Sequence, residues 1–239
     1  MTTELEELEQ EVTSCRRCPR LVAWREEVAR VKRAAYAGED YWGRPLPGFG
    51  DPEAKVVVLG LAPAAHGGNR TGRIFTGDRS GDWLFASMYR TGFASQPTSV
   101  SRDDGLRLSG AWVTAAVRCA PPANRPLPSE RDNCLPWLER ELPLLESVIV
   151  IVTLGSFAWD AALRVARSLG EPIPRPRPKF GHRAESQVGR FTLLGSYHPS
   201  QQNTFTGKLT EPMIDAVFER AKSLAIRGTN TWPQRQSSR

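Results

Sequence analysis

Four short apolar segments, each separated from the next by a stretch with helical periodicity, constrain the fold of this chain more than any other feature. They are Lys55–Leu61, Ala111–Val117, Ser147–Leu154 and Phe191–Ser196. Each is rich in β-branched or aromatic residues and is apolar without alternation, as expected for strands that are covered on both faces. We therefore predict four parallel strands in the interior of one sheet.

Helical patterns lie between and after these segments, at Ser80–Thr91, Ser129–Glu146, Phe157–Leu169 and Glu211–Ile226. Alternation of strands and helices is typical of a layered fold with a parallel sheet. The sequence thus predicts an α/β protein, a three-layer α/β/α sandwich with a central four-stranded parallel sheet. Two further helices are predicted between Glu4 and Ala37. We expect residues 1–227 to form a single domain and residues 228–239 to form a polar tail that frays.

Composition excludes several classes of protein. Of the 239 residues, 40% are hydrophobic and 24% are charged, which rules out a disordered or fibrous chain. No apolar run approaches the length of about 18 residues that indicates a membrane span. The N-terminus is acidic and lacks the apolar core of a secretory signal, so we expect a cytoplasmic protein without a membrane partner. A net charge of +6 is compatible with nucleic-acid binding or with a solvated basic surface.

The chain has four cysteines, Cys15, Cys18, Cys119 and Cys134. The first pair has the C-x-x-C spacing of a metal chelate, whereas fourteen residues separate the second pair, so only tertiary folding can bring all four together. Four thiolates suit either Zn²⁺ or an iron–sulfur cluster, and the spacing does not distinguish them. Two unrelated pairs of buried thiols are the structural alternative. A thioredoxin-like context for a redox pair is not evident.

Polar residues follow the ends of three of the four predicted strands. Because the carboxyl ends of parallel strands meet at one edge of a sheet, ligands bind there in folds of this kind. The loop after the first strand is rich in glycine, but it lacks the Gly-Lys-Ser/Thr ending of a P-loop and the G-x-G-x-x-G pattern of dinucleotide-binding proteins. A serine-hydrolase G-x-S-x-G elbow is also absent. The polar residues after the strands include His66, Asn69, Asp78, Asn124, His198 and Asn203.

Three segments of this edge carry a resemblance to a known family. They read GLAPAAHGGNRTGRIFTGD at 60–78, VRCAPPANRP at 117–126 and YHPSQQN at 197–203. The chain closely resembles the family-5 uracil-DNA glycosylases from about Cys15 to Ile226. The resemblance implies hydrolysis of the N-glycosidic bond between a damaged base and deoxyribose, which leaves an abasic site. It also implies that the four cysteines hold a [4Fe–4S] cluster, and that the partner is double- or single-stranded DNA containing damaged bases.

Three residues are candidates for catalysis in this reading. Asp78 is assigned as a substitute for the polar residue that is missing after Gly60, a function that His66 or a backbone group could share. His198 would donate a hydrogen bond to the departing base, and Asp78 would orient water or stabilise the cationic sugar. Asn203 would orient the loop or contact the substrate. Each has a structural alternative: a histidine satisfied within its turn, a helix cap or ion pair for the aspartate, and a loop cap for the asparagine.

Four residues make up the implied base-binding set: Ala62, His66, Phe75 and Asn124. Phe75 would stack on the extruded base, since stacking on an aromatic ring is worth about 1–3 kcal/mol per base. A core phenylalanine and a structural loop histidine are the alternatives at Phe75 and His66. We expect the enzyme to be monofunctional and monomeric.

Two departures from related glycosylases bear on specificity. Leu61 follows Gly60 where other superfamily members often have Glu or Gln, so the water-activating residue of that loop is absent. Ala115 stands where related enzymes have an asparagine that reads the Watson–Crick edge of uracil. Losing that reader relaxes discrimination, and we expect activity on uracil, oxidised pyrimidines, etheno-cytosine and deaminated purines such as hypoxanthine.

DNA contacts are predicted at Arg70, Arg73, Arg79, Lys208, Arg175, Arg177 and Lys179, with Phe205 or Leu209 as a wedge in the minor groove. Two other functions remain open at this point. One is a non-catalytic iron–sulfur protein that binds nucleic acid or senses redox state, and the other is a zinc-stabilised nucleotide or phosphate enzyme on the same scaffold.

Overall fold

A single mixed sheet forms the centre of the molecule. The structure, a computed structural model, describes residues 2–227; the predicted polar tail, 228–239, lies outside this range. The sheet has six strands in the order β1-β3-β2-β4-β6-β5. Their bounds are β1 Phe49–Gly50, β2 Val56–Gly60, β3 Ala111–Ala115, β4 Val150–Leu154, β5 Glu185–Val188 and β6 Phe191–Ser196.

Helices pack on both faces of this sheet. They are α1 Thr2–Thr13, α2 Pro19–Val31, α3 Gly68–Thr71, α4 Arg79–Arg90, α5 Pro128–Leu144, α6 Ser156–Ser168, α7 Gln201–Phe205 and α8 Glu211–Arg227. Short 3-10 turns lie at Ala34–Tyr36 and Pro122–Asn124. Within residues 2–227, no helix has the length and apolar character that spanning a bilayer requires.

The predicted α/β class is confirmed, but the prediction of four strands is wrong. Strands β2, β3, β4 and β6 are the four predicted ones and pair in parallel. Two antiparallel edge strands, β1 and β5, complete the sheet. β1 has only two residues, and β5 has the largely polar sequence ESQV, in which Glu185 and Gln187 are exposed and Val188 is buried. An apolar pattern detects strands that are covered on both faces, so it does not detect short or polar edge strands.

Alternating side chains of the central strands build two separate core layers. In β2, Val56 and Val58 belong to the cluster that also contains residues of α4 and α8. Val57 and Leu59 point to the opposite face and join the cluster of α5 and α6. This alternation follows from the two-residue period of a strand. It explains why β2 is fully buried and why it carries no polar side chain.

The order of the strands places a crevice at the carboxyl end of β2. β2 lies between β3 and β4, so the chain leaves β2 toward one neighbour and later returns to the other side. Such a reversal of strand order opens a crevice where ligands bind in α/β folds. The loops after β2, β3 and β6 all begin at this edge of the sheet.

Candidate active site

Asp78 ends the long loop after β2 and begins α4. Its Oδ1 accepts a hydrogen bond from the backbone N–H of Gly81 at 3.1 Å, so the structural alternative of a helix cap is realised. Burial raises the pKa of Asp78 above its ordinary value, while the N–H groups of Gly81 and Ser80 oppose that rise. The second oxygen, Oδ2, lies close to Gly67, where any Cβ would overlap it. One carboxylate oxygen therefore caps α4, and the other packs against Gly67.

Phe75 connects the loop after β2 with the loop after β6. Its ring centroid lies 5.9 Å from that of His198, and the two rings are tilted by 36°. Gly60 leaves room for this ring, because a Cβ at Gly60 would lie 2.7 Å from it. The Phe75 backbone has a φ of 55°, and its carbonyl packs against Gly81 in the first turn of α4. Phe75 is 7% exposed and belongs to the core cluster beside α4, so the structural alternative of a core phenylalanine is realised. Its ring lies between the imidazole of His198 and the helix that Asp78 caps.

His198 is held in the turn that follows β6. Burial lowers the pKa of His198 to about 4, so its imidazole is neutral at pH 7. Asn203 donates a hydrogen bond from Nδ2 to the carbonyl of His198 at 2.8 Å. Ser200 caps the short helix α7, on which Asn203 lies. The hydrogen bond from Nδ2 links the side chain of Asn203 to the backbone of His198.

The remaining predicted base-binding residues lie in three different environments. The Nδ1 atom of His66 lies 3.0 Å from the hydroxyl of Tyr41, and burial lowers the pKa of His66. Asn124 is exposed in the turn after β3 and has a φ of 55°. Ala62 is half-buried and packs against the cluster of core residues around the cysteines.

An open cavity of ≈730 Å³ lies beside Asp78. Its walls carry charges of both signs, from Arg70, Arg79, Asp82 and Asp103 among others. His198 does not line this cavity. Among the residues that the structure describes, Phe75 provides the contact that joins the Asp78 loop to His198. Asp78 is thus accessible from this open, charged cavity.

Two of the predicted DNA contacts are corrected by the structure. Arg73 is buried, and its Nη2 donates to both carboxylate oxygens of Asp104 at 2.8 Å, so it is not available to a phosphate. Leu209 is fully buried in the core and cannot act as a wedge. Phe205, the other wedge candidate, is 67% exposed and lies under the guanidinium of Arg79 at 4.3 Å. Polar sequence context does not reveal such ion pairs, which form only on folding.

The four cysteines converge from distant parts of the chain. Cys15 and Cys18 lie between α1 and α2, Cys119 follows β3, and Cys134 lies in α5; all four are free thiols. They pack in one cluster and line one cavity. The alternative of two unrelated pairs is therefore excluded.

Within residues 2–227, no group of three or more His, Cys, Asp or Glu side chains is placed to hold a single metal ion. A tetrahedral zinc site needs sulfurs about 3.8 Å apart, because each Zn–S bond is about 2.3 Å. In a [4Fe–4S] cluster, each of the four thiolates binds a different iron. The four thiols share one cavity, and both zinc and an iron–sulfur cluster remain compatible with this set of ligands.

Hydrogen-bond donors surround the thiols. Arg25 is 2% exposed, and its Nη1 lies 2.9 Å from the Sγ of Cys119. The backbone N–H of Arg118 lies 3.2 Å from the Sγ of Cys134. Burial raises the pKa of Cys119 to about 11 and that of Cys134 to about 12, and these donors oppose that rise. They favour the thiolates that metal binding requires.

Gly67 provides a test of how the carboxylate is positioned. A Cβ at Gly67 would overlap Oδ2 of Asp78, so we expect Gly67→Ala to displace the carboxylate and lower the catalytic rate. A misplacement of about 1 Å can cost about 100-fold. Gly38→Ala is the matched control, since no atom lies within 4 Å of a Cβ there. Equal single-turnover rates for Gly67→Ala and Gly38→Ala would contradict the expectation that the position of the Asp78 carboxylate limits catalysis.

The family of the chain follows from its fold and from comparison with known proteins. Residues 47–222, which include all six strands of the sheet, match the family model described as "Uracil DNA glycosylase superfamily". The chain therefore belongs to the uracil DNA glycosylase superfamily.

Curated relatives indicate one family within this superfamily. A type-5 uracil-DNA glycosylase of Mycobacterium tuberculosis is 55% identical over 221 residues, 92% of this chain and 81% of the relative. The type-5 enzyme of Thermus thermophilus is 52% identical over 217 residues, 90% of this chain and 96% of the relative. A type-4 enzyme of Archaeoglobus fulgidus is 26% identical over 197 residues, 82% of this chain and 81% of the relative. The resemblance to the type-5 family is thus confirmed.

Proposed function

We propose that this protein is a DNA repair enzyme that hydrolyses the N-glycosidic bond of uracil in DNA and leaves an abasic site. The observation that carries the proposal is the contact of Phe75 with the neutral imidazole of His198, beside a helix capped by the half-buried carboxylate of Asp78. Relatives with 52–55% identity are named uracil-DNA glycosylases. A donor, an aromatic surface and an anion are the groups that this reaction requires.

The reaction begins with extrusion of the base from the helix, which costs a few kcal/mol and less for a mispaired base. Phe75 offers its ring to the extruded base. As the glycosidic bond lengthens, negative charge grows on uracil O2 and positive charge on the sugar. A neutral His198 stabilises the first charge by donating a hydrogen bond, which is strongest in the transition state. An ionised Asp78 stabilises the second charge or orients the attacking water.

The substrate range is proposed to be broad. Ala115 is buried at the end of β3 and presents only a methyl group, so no side-chain amide selects the Watson–Crick edge at this position. Leu61 likewise provides no polar group after β2. A polar side chain in the pocket penalises any base that leaves it without a hydrogen-bond partner. Because these two positions have no such side chain, the pocket should reject few bases. Etheno-cytosine, oxidised pyrimidines and hypoxanthine are the proposed additional substrates.

Phe205 is proposed as the residue that fills the gap left by the extruded base. It is exposed, whereas Leu209 is buried. Phe205 is the last residue of α7, which begins three residues after His198. An apolar side chain in this place can enter the base stack from the minor groove. Its stacking on Arg79 joins it to the residue that follows Asp78.

A glycosylase assay tests the proposed function. Duplexes containing uracil, hypoxanthine or etheno-cytosine are incubated with the protein, and abasic product is detected as strand cleavage after alkali. We expect release of free uracil without strand cleavage before alkali, because hydrolysis leaves the backbone intact. A folded protein that bound these duplexes without releasing a base would favour the non-catalytic alternative. Release of uracil alone would contradict the broad substrate range.

The acidic side of the pH–rate profile follows from the pKa of Asp78. Because burial raises this pKa, the carboxylate that the reaction needs is lost, as pH falls, at a higher pH than for an ordinary aspartate. His198 stays neutral until about pH 4 and retains its donor over this range. We expect the single-turnover rate of uracil release to rise with pH and then level off. A rate that rose on acidification would contradict an ionised Asp78.

We further propose that Cys15, Cys18, Cys119 and Cys134 hold a [4Fe–4S] cluster, as supported by their shared cavity and surrounding donors. Bound there, the cluster would join the N-terminal helices to β3 and α5. We expect purified protein to be yellow-brown, with absorbance near 400 nm and about four irons per chain. Cys119→Ser should lower the iron content and the melting temperature. A colourless, zinc-containing protein would contradict this assignment.

A further inference from the structure

His182 lies at the end of the sheet next to β6 and has no function in the mechanism above. It belongs to the sequence Lys-Phe-Gly-His-Arg, between α6 and the edge strand β5. Its Nδ1 accepts a hydrogen bond from the backbone N–H of Tyr197 at 3.2 Å. Tyr197 directly precedes His198. The side chain of His182 is therefore bonded to the backbone from which His198 projects.

This hydrogen bond continues the pairing of β6 beyond its last residue. Along the edge of β6, the N–H of Gly195 donates to the carbonyl of Ala184 at 2.8 Å, and the N–H of Arg183 donates to the carbonyl of Gly195 at 2.7 Å. The next N–H on the same edge of β6 is that of Tyr197, where the imidazole of His182 replaces a backbone carbonyl. His182 thus satisfies an N–H group that the sheet itself leaves unpaired.

A ring contact holds the same two residues in a second way. The imidazole of His182 stacks on the ring of Tyr197, with centroids 4.9 Å apart and an interplanar angle of 26°. Phe180 packs against Tyr197 from the same segment, with centroids 6.4 Å apart. Gly195 allows this segment to approach, because a Cβ there would overlap the carbonyl of Gly181. Segment 180–184 is therefore packed closely along the end of β6.

The protonation state of His182 is consistent with an acceptor. Since Nδ1 accepts a hydrogen bond from the N–H of Tyr197, the neutral ring carries its own proton on Nε2. Burial and the neighbouring Arg183 lower the pKa of His182, which keeps the ring neutral. The buried Nε2 has no hydrogen-bond partner among the described residues. The contact with Tyr197 is thus made although it leaves one donor unpaired, which costs free energy.

We infer that His182 is a positioning residue for His198: it fixes the backbone of Tyr197 and thereby the direction from which the imidazole of His198 meets the base. The inference rests on the glycosylase function proposed above. His182 does not contact the substrate. Without His182, the turn that carries His198 would move more freely, so the imidazole of His198 would be oriented less well toward the base. Poorer orientation lowers the rate of bond cleavage more than the affinity for DNA.

Three substitutions separate the hydrogen bond from the ring contact. His182→Asn keeps an acceptor near the position of Nδ1 but loses the ring stack. His182→Phe keeps the ring but loses the acceptor, and His182→Ala loses both. Gln187→Ala, on the same edge of the sheet in β5, is the matched control. Melting temperatures of all four variants show whether any of them fails to fold.

The experiment measures single-turnover uracil release, DNA affinity and hydrogen exchange of the Tyr197 amide. We expect the Phe and Ala variants to lose about 10- to 100-fold in rate at nearly constant affinity, because only orientation is affected. The Asn variant should retain most of the wild-type rate. Exchange of the Tyr197 amide should be at least about tenfold faster in the Phe and Ala variants than in wild type and the Asn variant.

Two results would overturn the inference. One is a wild-type Tyr197 amide that exchanges as fast as in the Phe variant, which can be seen whether or not the protein is a glycosylase. The other is a Phe variant with the wild-type rate. A wild-type protein that releases no base contradicts the proposed function instead, and the exchange data then decide on the hydrogen bond independently.

Discussion

Asp78→Asn is expected to lower the single-turnover rate of uracil release by about 10²–10⁴-fold, the range typical of a positioned acid–base group. The amide cannot carry the negative charge that stabilises the cationic sugar, nor can it accept a proton from water. The measurement is excision from a uracil-containing duplex at saturating protein, so that binding does not limit the rate.

The fold of this variant should be intact, which separates a catalytic function from a structural one. Asn caps a helix about as well as Asp, and the side-chain oxygen can still accept from the N–H of Gly81. Burial raises the pKa of Asp78, so the ionised carboxylate destabilises the native state at neutral pH. Replacement by a neutral amide should therefore leave the melting temperature unchanged or raise it. Full activity of the variant would show that Asp78 is only a helix cap.

His198→Ala should lower the rate by about 10²–10³-fold, the usual effect of removing one donor to a developing oxyanion. A neutral imidazole supplies this hydrogen bond without transferring a full charge, which agrees with a pKa lowered to about 4. Loss of the ring also removes its contact with Phe75, so the melting temperature must be measured beside the rate.

A better leaving group separates the two effects of this substitution. 5-Fluorouracil departs more easily as an anion than uracil does, so it depends less on the donor. The ratio of wild-type to His198→Ala rates should therefore be smaller for 5-fluorouracil than for uracil. A ratio that is the same for both bases would mean that His198 stabilises the fold of the site rather than the charge on the base.

The interior of the fold could be predicted from the sequence because its strands are apolar on both faces. Phe191–Ser196 was predicted with the observed bounds, and the other three central strands are shorter than predicted by two or three residues. The edges could not be predicted in this way, since β1 is too short for a pattern and β5 is polar. Short helices such as α3 and α7 carry no periodicity either, because they span only four and five residues.

Some features of the candidate site could likewise be predicted from the sequence, and others could not. Residues at strand ends, such as His198, can be placed from the sequence because the topology of a parallel sheet brings them to one edge. Contacts between segments that are separated along the chain cannot be predicted in this way. Examples are the contacts of Arg25 with Cys119, of Tyr41 with His66 and of Gly67 with Asp78. Arg73 is a residue for which the sequence suggested the wrong function. Its charge indicated DNA binding, whereas in the folded protein it forms an ion pair with Asp104.

The central claim is that the loops after β2 and β6 hold one extruded base between them. A crystal structure of the Asp78→Asn variant with an intact uracil-containing duplex tests it most directly, because the slow variant preserves the substrate. We expect uracil against the ring of Phe75, its O2 about 2.7–3.1 Å from an imidazole nitrogen of His198, and the sugar C1′ facing residue 78. A uracil that remained stacked in the duplex, or was bound away from His198 and residue 78, would contradict it.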